Sequence, residues 1–328
     1  MLSLLEMELR HLQALVGIAE QGSFSSAADF LGTVQSNISS HIARLERELG
    51  STLVDRSTSK LTAEGEVVLA RAYRVQAELD ALNADMGALN AEVAGTVRAG
   101  MIGTTAQWLL PMLLASTSKD HPKLRLVVTE GTTTVLEPQL AAGRLDLAVL
   151  TMPVPGRDLT SEALFEEELV LVVPYDNDPT NGRAEVDLAE LAGIELLLPA
   201  PGTPFRAELD TAVKPANLRL RPRAELDGVR LIASLTFEGY GPSILPSTAV
   251  PARLRSRFRL VGVTGLPFRR VGLALRSRGM PSAPAIAVLS ALREAVADPE
   301  GLPAGLHPLR PQPSARAEGS LRSAGPNG

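Results

Sequence analysis

Between Ala27 and Arg56 the chain reads Ala27-Ala28-x2-Leu31-x3-Gln35-x2-Ile38-Ser39-x2-Ile42-x2-Leu45-Glu46-x2-Leu49-Gly50-x2-Leu53-x2-Arg56. Ile38, Ile42, Leu45 and Leu49 recur at i, i+4, i+7 and i+11, one buried stripe of a helix. The other face carries Gln35, Ser36, Ser39, Ser40, Arg44 and Arg47. Short polar side chains beside arginine suit a DNA major groove, where Gln can bond adenine and Arg can bond guanine or phosphate. Gly32 permits a tight turn after a short preceding helix, the arrangement of a helix-turn-helix.

The flanking residues complete the unit. Leu9, Leu12, Val16 and Ala19 make a first amphipathic helix, ended by Gly22-Ser23. Ser23 or Ser25 can cap the second helix. Ala27 and Ala28 are small enough for two helix backbones to approach closely there. Leu53–Asp55 and Lys60–Thr62 read as a short hairpin wing, with Arg56 and Lys60 at its tip within reach of phosphate. The stripe alone fits equally a small bundle with a solvated polar face; turn and wing together weigh against that reading.

Residues 7 to 65 resemble the N-terminal module of the LysR-type transcriptional regulators. Met7-Glu8-Leu9-Arg10, Gly22-Ser23-Phe24, Ala27-Ala28-x2-Leu31, Gln35, Ser39, Leu45-Glu46-x2-Leu49-Gly50, Leu53-x2-Arg56 and Leu61-Thr62-x2-Gly65 follow the family pattern in order. Three positions depart from it. Val34 stands where Ser or Thr is frequent, leaving Thr33 as the available cap. Ser40 stands where many members carry Arg, and Val54 replaces a common Phe. The resemblance and the groove face together give an expected DNA-binding set: Thr33, Gln35, Ser36, Ser39, Ser40, Arg44, Arg56 and Lys60. Because the pattern begins at Met7, Met1–Glu6 would be an over-annotated start.

The chain has 328 residues, 45 % of them apolar, enough for two or three domains. Its net charge is −5, so there is no global basic field. Residues 1 to 62 hold five basic side chains (Arg10, Arg44, Arg47, Arg56, Lys60) and seven acidic ones. That balance counts mildly against nucleic acid, unless placement on the groove face outweighs the sum. There is no cysteine, which excludes disulfides, thiolate metal sites and a cysteine nucleophile. No uncharged apolar run reaches the roughly 18 residues of a membrane span. No secretory leader is visible, so a soluble cytoplasmic protein is expected.

Thr62 to Ala94 reads as one long helix. Val68, Ala72, Val75, Leu79, Leu82, Met86, Leu89 and Val93 recur at spacings of four and three, a heptad stripe that wants a partner helix. At about 1.5 Å per residue, helix 63–93 would be roughly 46 Å long. Packing on its own domain is the alternative; a narrow stripe between two domains favours a dimer seam. Gly95 would be the hinge beyond it.

Residues 96 to 300 alternate strand and helix. Val97–Ile102, Leu124–Val128, Leu145–Leu150, Leu169–Val173, Ile194–Leu198 and Val271–Leu275 read as buried strands. Helices fall near 107–118, 133–142, 187–192, 203–213, 229–239 and 283–297. The alternation predicts α/β architecture with mostly parallel strands, and ligands then bind beyond strand ends near helix N-termini. Leu136-x3-Leu140-x2-Gly143-x-Leu145-Asp146-Leu147-Ala148-Val149 and Gly239-Tyr240-Gly241-x2-Ile244-Leu245-Pro246 resemble the effector domain of the same family. The resemblance implies two subdomains of the type II periplasmic-binding-protein fold.

Three polar clusters follow apolar strands: Gly103-Thr104-Thr105, Gly131-Thr132-Thr133-Thr134 and Pro201-Gly202-Thr203-x2-Arg206. Each alone is a helix cap. Together they predict a shared pocket for a small anionic effector, lined by Thr104, Thr105, Thr132, Thr133, Gly202 and Thr203, with Arg206 as counter-charge. No catalytic or metal site is expected. There is no Walker loop and no G-x-S-x-G, and His11, His41, His121 and His307 are scattered. No cofactor is expected either.

The expected organisation is α/β with an N-terminal winged helix-turn-helix at 7–62, a linker helix at 63–94, a two-subdomain effector domain at 95–302 and a disordered tail at 303–328. The expected function is effector-controlled transcriptional regulation. The partners would be two-fold symmetric double-stranded DNA, a second copy of the chain as homodimer or homotetramer, and RNA polymerase. The alternatives are a solute-binding or sequestering protein with a dimerising N-terminus, and an α/β enzyme with an unrecognised site.

Overall fold

The computed structural model describes residues 7–89 and 93–309. Three helices, α1 (Leu9–Gln21), α2 (Phe24–Phe30) and α3 (Gln35–Leu49), open the chain. They share one core in which Leu15, Ile18, Ala27, Ile38, Ile42 and Leu45 are almost wholly buried. Ser23 caps α2, its hydroxyl accepting the Ser26 N–H at 3.0 Å. The α2–α3 turn passes through Gly32 at φ 64°, a left-handed conformation that only glycine adopts at no cost. Leu53 and Val54 are buried under a reduced wing, whose two arms meet in an antiparallel bridge, Val54 to Leu61.

Helix α4 (Ala63–Ala88) follows. Thr62 caps it, accepting the Gly65 N–H at 3.0 Å. Gly65 is required by contact, since a Cβ there would stand 2.1 Å from the Leu53 carbonyl oxygen. The helix is shorter than the 63–94 span expected; residues 90–92 lie outside the described chain, and Val93 is not helical. Its stripe divides. Ala72 and Leu69 are buried in the core of the first domain, whereas Leu82, Met86 and Leu89 are 58 %, 56 % and 79 % exposed. Another side of α4 rests on the chain's own second domain. Arg74 Nε donates to the Ala141 carbonyl at 2.9 Å, and the Ala283 N–H donates to Asp85 at 2.8 Å.

The second domain is two α/β lobes. Lobe I begins with β1 (Gly95–Met101), α5 (Gly103–Asp120), β2 (Leu124–Glu130), α6 (Thr133–Ala142), β3 (Leu147–Thr151) and β4 (Leu159–Glu167). The chain then enters lobe II: β5 (Leu169–Pro174), β6 (Glu185–Asp187), β7 (Glu195–Pro199), α7 (Pro204–Val213), β8 (Arg221–Leu226), α8 (Val229–Phe237), β9 (Ser243–Pro246) and β10 (Phe258–Thr264). It returns to lobe I with β11 (Arg269–Arg276), α9 (Ala283–Ala297) and β12 (Leu306–Pro308). The sheet orders are β12-β4-β11-β3-β1-β2 and β6-β10-β5-β9-β7-β8. The chain thus crosses between lobes twice, at Glu167–Leu169 and Thr264–Arg269.

Two expectations need correction. The sheets are mixed rather than mostly parallel. β11 runs antiparallel to both β3 and β4, and β5 runs antiparallel to β9 and β10. Each time the chain changes lobe, the returning strand reverses direction in its sheet. The tail expected from 303 is also misplaced at its start. β12 pairs with β4 through Leu306, which is buried, so lobe I runs past 302. Residues 310–328 lie outside the described chain, as do Met1–Glu6.

Candidate functional site

Two surfaces carry chemistry, and the first is α3. Its inner stripe is locked in the core, which fixes which face is free. Gln35, Ser36 and Ser40 are exposed and Ser39 is half-buried beside them. Gln35 holds no side-chain hydrogen bond among the described residues. The Ser40 hydroxyl donates to the Ser36 carbonyl at 2.8 Å and is spent on its own helix. Val34, not Thr33, is the N-cap residue of α3, and it offers no side-chain cap. Thr33 Oγ1 instead accepts from Asn37 Nδ2 at 2.9 Å, one turn into the helix. Arg44 pairs with Glu48 at 3.4 Å across one helical turn.

The wing arginine has a structural task. Arg56 donates to Glu46 at 2.8 Å and lies 5.0 Å above the Phe24 ring. Glu46 also accepts the Leu53 and Val54 N–H groups, at 2.8 and 3.2 Å. One carboxylate therefore pins the wing to the recognition helix, and Arg56 braces it rather than standing free for phosphate. The uncommitted wing cation is Lys60, exposed and without an ion pair among the described residues.

Burial opposes the charge on Glu46, but the two N–H groups and Arg56 outweigh it and hold the pKa below the usual carboxylate value. The group therefore stabilises the wing above the unfolded pKa, and the contribution is lost as pH falls through the lowered folded value. Glu46→Gln is expected to lower the melting temperature at neutral pH and to flatten its fall on acidification. Parallel acid limbs in parent and variant would contradict this.

The second surface is a cleft of about 200 Å³ between the lobes. Gly103 and Thr104 reach it from the start of α5, Glu130 to Thr133 from the β2–α6 turn, and Thr151 from the end of β3. Lobe II contributes Pro199, Thr203, Pro204 and Phe205 around the β7–α7 turn, Glu208 on α7, and Asp227 to Arg230 at the start of α8. Arg269, on the strand returning from lobe II, lies at its base.

The three threonine clusters do converge, with Thr104, Thr132, Thr133 and Thr203 on the wall. Thr105 is fully buried and faces away, because neighbouring residues in the first turn of α5 point about 100° apart. Gly202 is exposed and off the wall. Arg206 is committed to its own lobe, donating to Asp210 at 2.9 Å, Glu225 at 2.7 Å and the Pro199 carbonyl at 2.9 Å. It shapes the turn that carries Thr203 and Pro204.

The cations of the cleft are Arg269 and Arg230. The Arg269 side chain is only 5 % exposed. It donates from Nη1 to Thr104 at 3.3 Å and stands 3.9 Å from Glu167, while its Nε has no partner among the described residues. Glu167 is completely buried, and Thr248 of lobe II donates to it through both N–H and hydroxyl. This pair sits on the two strands that join the lobes, with Arg269 opposite Glu167 in the β11–β4 ladder. Arg230 bridges the cleft to Glu130 on the other lobe, in an exposed ion pair. Sequence reading missed Arg269 and Glu167, which are 102 positions apart. The visible signal was an arginine at i−2 and i−4 from Val271 and Leu273, on the buried face of a strand.

Among the described residues no helix is long and apolar enough to cross a membrane.

The comparisons agree with this geometry. Residues 9–66 match the model "Bacterial regulatory helix-turn-helix protein, lysR family", and residues 90–297 match "LysR substrate binding domain". A probable hydrogen peroxide-inducible genes activator of Streptomyces viridosporus is 34 % identical over 298 residues, 88 % of this chain and 95 % of that one. The DNA-binding transcriptional dual regulator OxyR of Escherichia coli is 28 % identical over 88 % and 95 % of the two chains. Full-length OxyR of Pseudomonas aeruginosa, with a cysteine replaced, superposes at a TM-score of 0.69 with 25 % identity, covering 89 % of this chain and 98 % of that one. CbnR bound to its target DNA shares the fold, at a TM-score of 0.64 and 24 % identity over 88 % and 99 % of the chains. The chain belongs to the LysR family, and is a DNA-binding transcriptional regulator controlled by an effector rather than an enzyme.

Proposed function

We propose that the cleft between the lobes holds the effector, and that its occupancy sets the spacing of two DNA-binding modules in a cytoplasmic oligomer. The observation that carries this is Arg269, a buried cation that lines a threonine-rich cleft and whose Nε has no partner among the described residues. A charge so placed awaits an oxygen ligand, because a buried donor left unmade is costly. Its position on the returning strand supplies the coupling. A ligand touching Arg269, Thr104 and Thr203 engages both lobes and the hinge, so it favours one lobe orientation by its differential contacts. On the DNA side, Gln35, Ser36 and Ser39 face base edges, with Lys60 on phosphate. RNA polymerase is the partner through which a bound regulator would act. We assign residues 7–62, 63–94 and 95–309 to DNA binding, linkage and sensing.

The relatives named for peroxide bear on the input. This chain has no cysteine anywhere, so no thiol can be oxidised to sulfenic acid or disulfide. Reversible ligand binding is the route left to the cleft. Thr104→Val removes the acceptor of Arg269 Nη1 while keeping the side-chain volume. It is expected to retain DNA binding and to weaken the ligand by about tenfold. Calorimetry with an effector found by thermal-shift screening checks the second half, and gel shift the first. Unchanged ligand affinity would place the effector elsewhere. Treatment with hydrogen peroxide is expected to leave the parent's operator affinity unchanged.

A further inference from the structure

Accepting the cleft as the effector site, its charges restrict the class of effector. Glu130 and Arg230 neutralise each other across the mouth. Arg269 has Glu167 at 3.9 Å behind the wall, and its Nε has no partner among the described residues; Glu208 and Asp227 line the cleft with it. Glu208, on α7, lines the cleft with Arg269 and makes no hydrogen bond or ion pair among the described residues. Burial pushes its carboxyl above the ordinary range, and the field of Arg269 only partly opposes this. The cleft thus presents a buried guanidinium and an unpartnered carboxylate within each other's field.

Simple ligands satisfy only half of this. A plain carboxylate pairs with Arg269 but sets a second negative charge beside Glu208 in a place of low polarity. A plain amine pairs with Glu208 and leaves the Arg269 guanidinium short of partners. A molecule carrying both charges a few bonds apart satisfies each. The threonine hydroxyls serve either end, since each both donates and accepts. Ile102, Pro199, Pro204, Phe205 and Val229 make the rest of the wall apolar.

We infer that the effector is an α-amino acid with an apolar side chain, its carboxylate on Arg269 and its ammonium on Glu208. The net anion expected from the hydroxyl clusters gives way to a zwitterion, because Glu208 is on the wall and Arg206 is not.

The test is calorimetry on the full-length protein with L-leucine, L-methionine and L-phenylalanine, beside 4-methylpentanoate and 3-methylbutylamine as leucine isosteres lacking one charge each. At least one amino acid is expected to bind. For leucine, each isostere is expected to bind more weakly by about tenfold or more. Glu208→Gln is expected to weaken the amino acid by a similar factor while leaving 4-methylpentanoate unchanged or tighter. No binding of any of the three amino acids at millimolar concentration overturns the proposal. So does 4-methylpentanoate binding as tightly as leucine, or a Glu208→Gln variant indistinguishable from the parent. If 4-methylpentanoate binds and Arg269→Lys abolishes that binding, the zwitterion falls but the cleft remains the effector site. If an amino acid binds equally to Glu208→Gln and Arg269→Lys, both readings fall.

Discussion

Glu167→Ala is expected to destabilise the effector domain by about 3–5 kcal/mol, the loss typical of breaking a buried ion pair from one side. Two donors lose their acceptor and one cation loses its ion-pair partner. Arg269 stays buried without its ion-pair partner, and the Thr248 N–H and hydroxyl lose the oxygen that ties lobe II to the joining strands. The comparison that isolates the charge is Glu167→Leu combined with Arg269→Met. With both charges gone the desolvation cost disappears as well, so the double variant should recover the part of the loss that comes from the unpaired charge, leaving the cost of the two Thr248 donors. Urea unfolding of the three proteins checks this. A loss below about 1 kcal/mol for the single variant would mean that Arg269 is solvated, contrary to its burial.

Replacing Leu82 and Leu89 by Glu is expected to dissociate the oligomer. Both side chains project into solvent, from α4 and its C-cap, on a face that neither domain covers, and apolar side chains in that register mark a helix seam. In a two-fold seam the double substitution buries four carboxylates without partners. Two linked modules gain affinity through effective concentration, so separated modules should lose about a hundredfold or more in operator binding. Light scattering gives the mass and fluorescence anisotropy the affinity. A variant that keeps both would show that α4 serves only its own chain, through contacts such as Arg74 to Ala141.

Local pattern made the helices legible. Ile38, Ile42 and Leu45 announced α3 because a 3.6-residue period can be seen within a dozen positions. Short apolar runs bounded by Gly, Pro and Thr announced β1, β2, β3, β5, β7 and β11. What escaped was pairing. β4 carries Ser161 and Glu162 with Leu164 and Phe165, so it lacks a clean alternation, and β12 is three residues held by one buried leucine. Nothing local reveals that β11 reverses against β3, since direction depends on where the chain re-enters lobe I.

The candidate sites divide the same way. Threonines at strand ends pointed to the cleft, because such positions recur wherever helices follow strands. The pairing of Arg56 with Glu46, ten residues earlier on α3, had no local signal because wing and helix meet only in the folded domain. Glu208 stands two residues from Arg206, which looked like the counter-charge of the cleft, and it joins the wall only where the two lobes meet.

We propose that the free face of α3 reads DNA on behalf of a two-fold assembly. Selection of bound duplexes from a random library, run on the full-length parent and on Gln35→Ala, checks this. The parent is expected to select a symmetric motif with half-sites about one helical turn apart. Gln35→Ala is expected to lose about 1–3 kcal/mol and to relax preference at one base pair in each half-site. An unsymmetrical motif, or a Gln35→Ala profile identical to the parent's at every position, would contradict it.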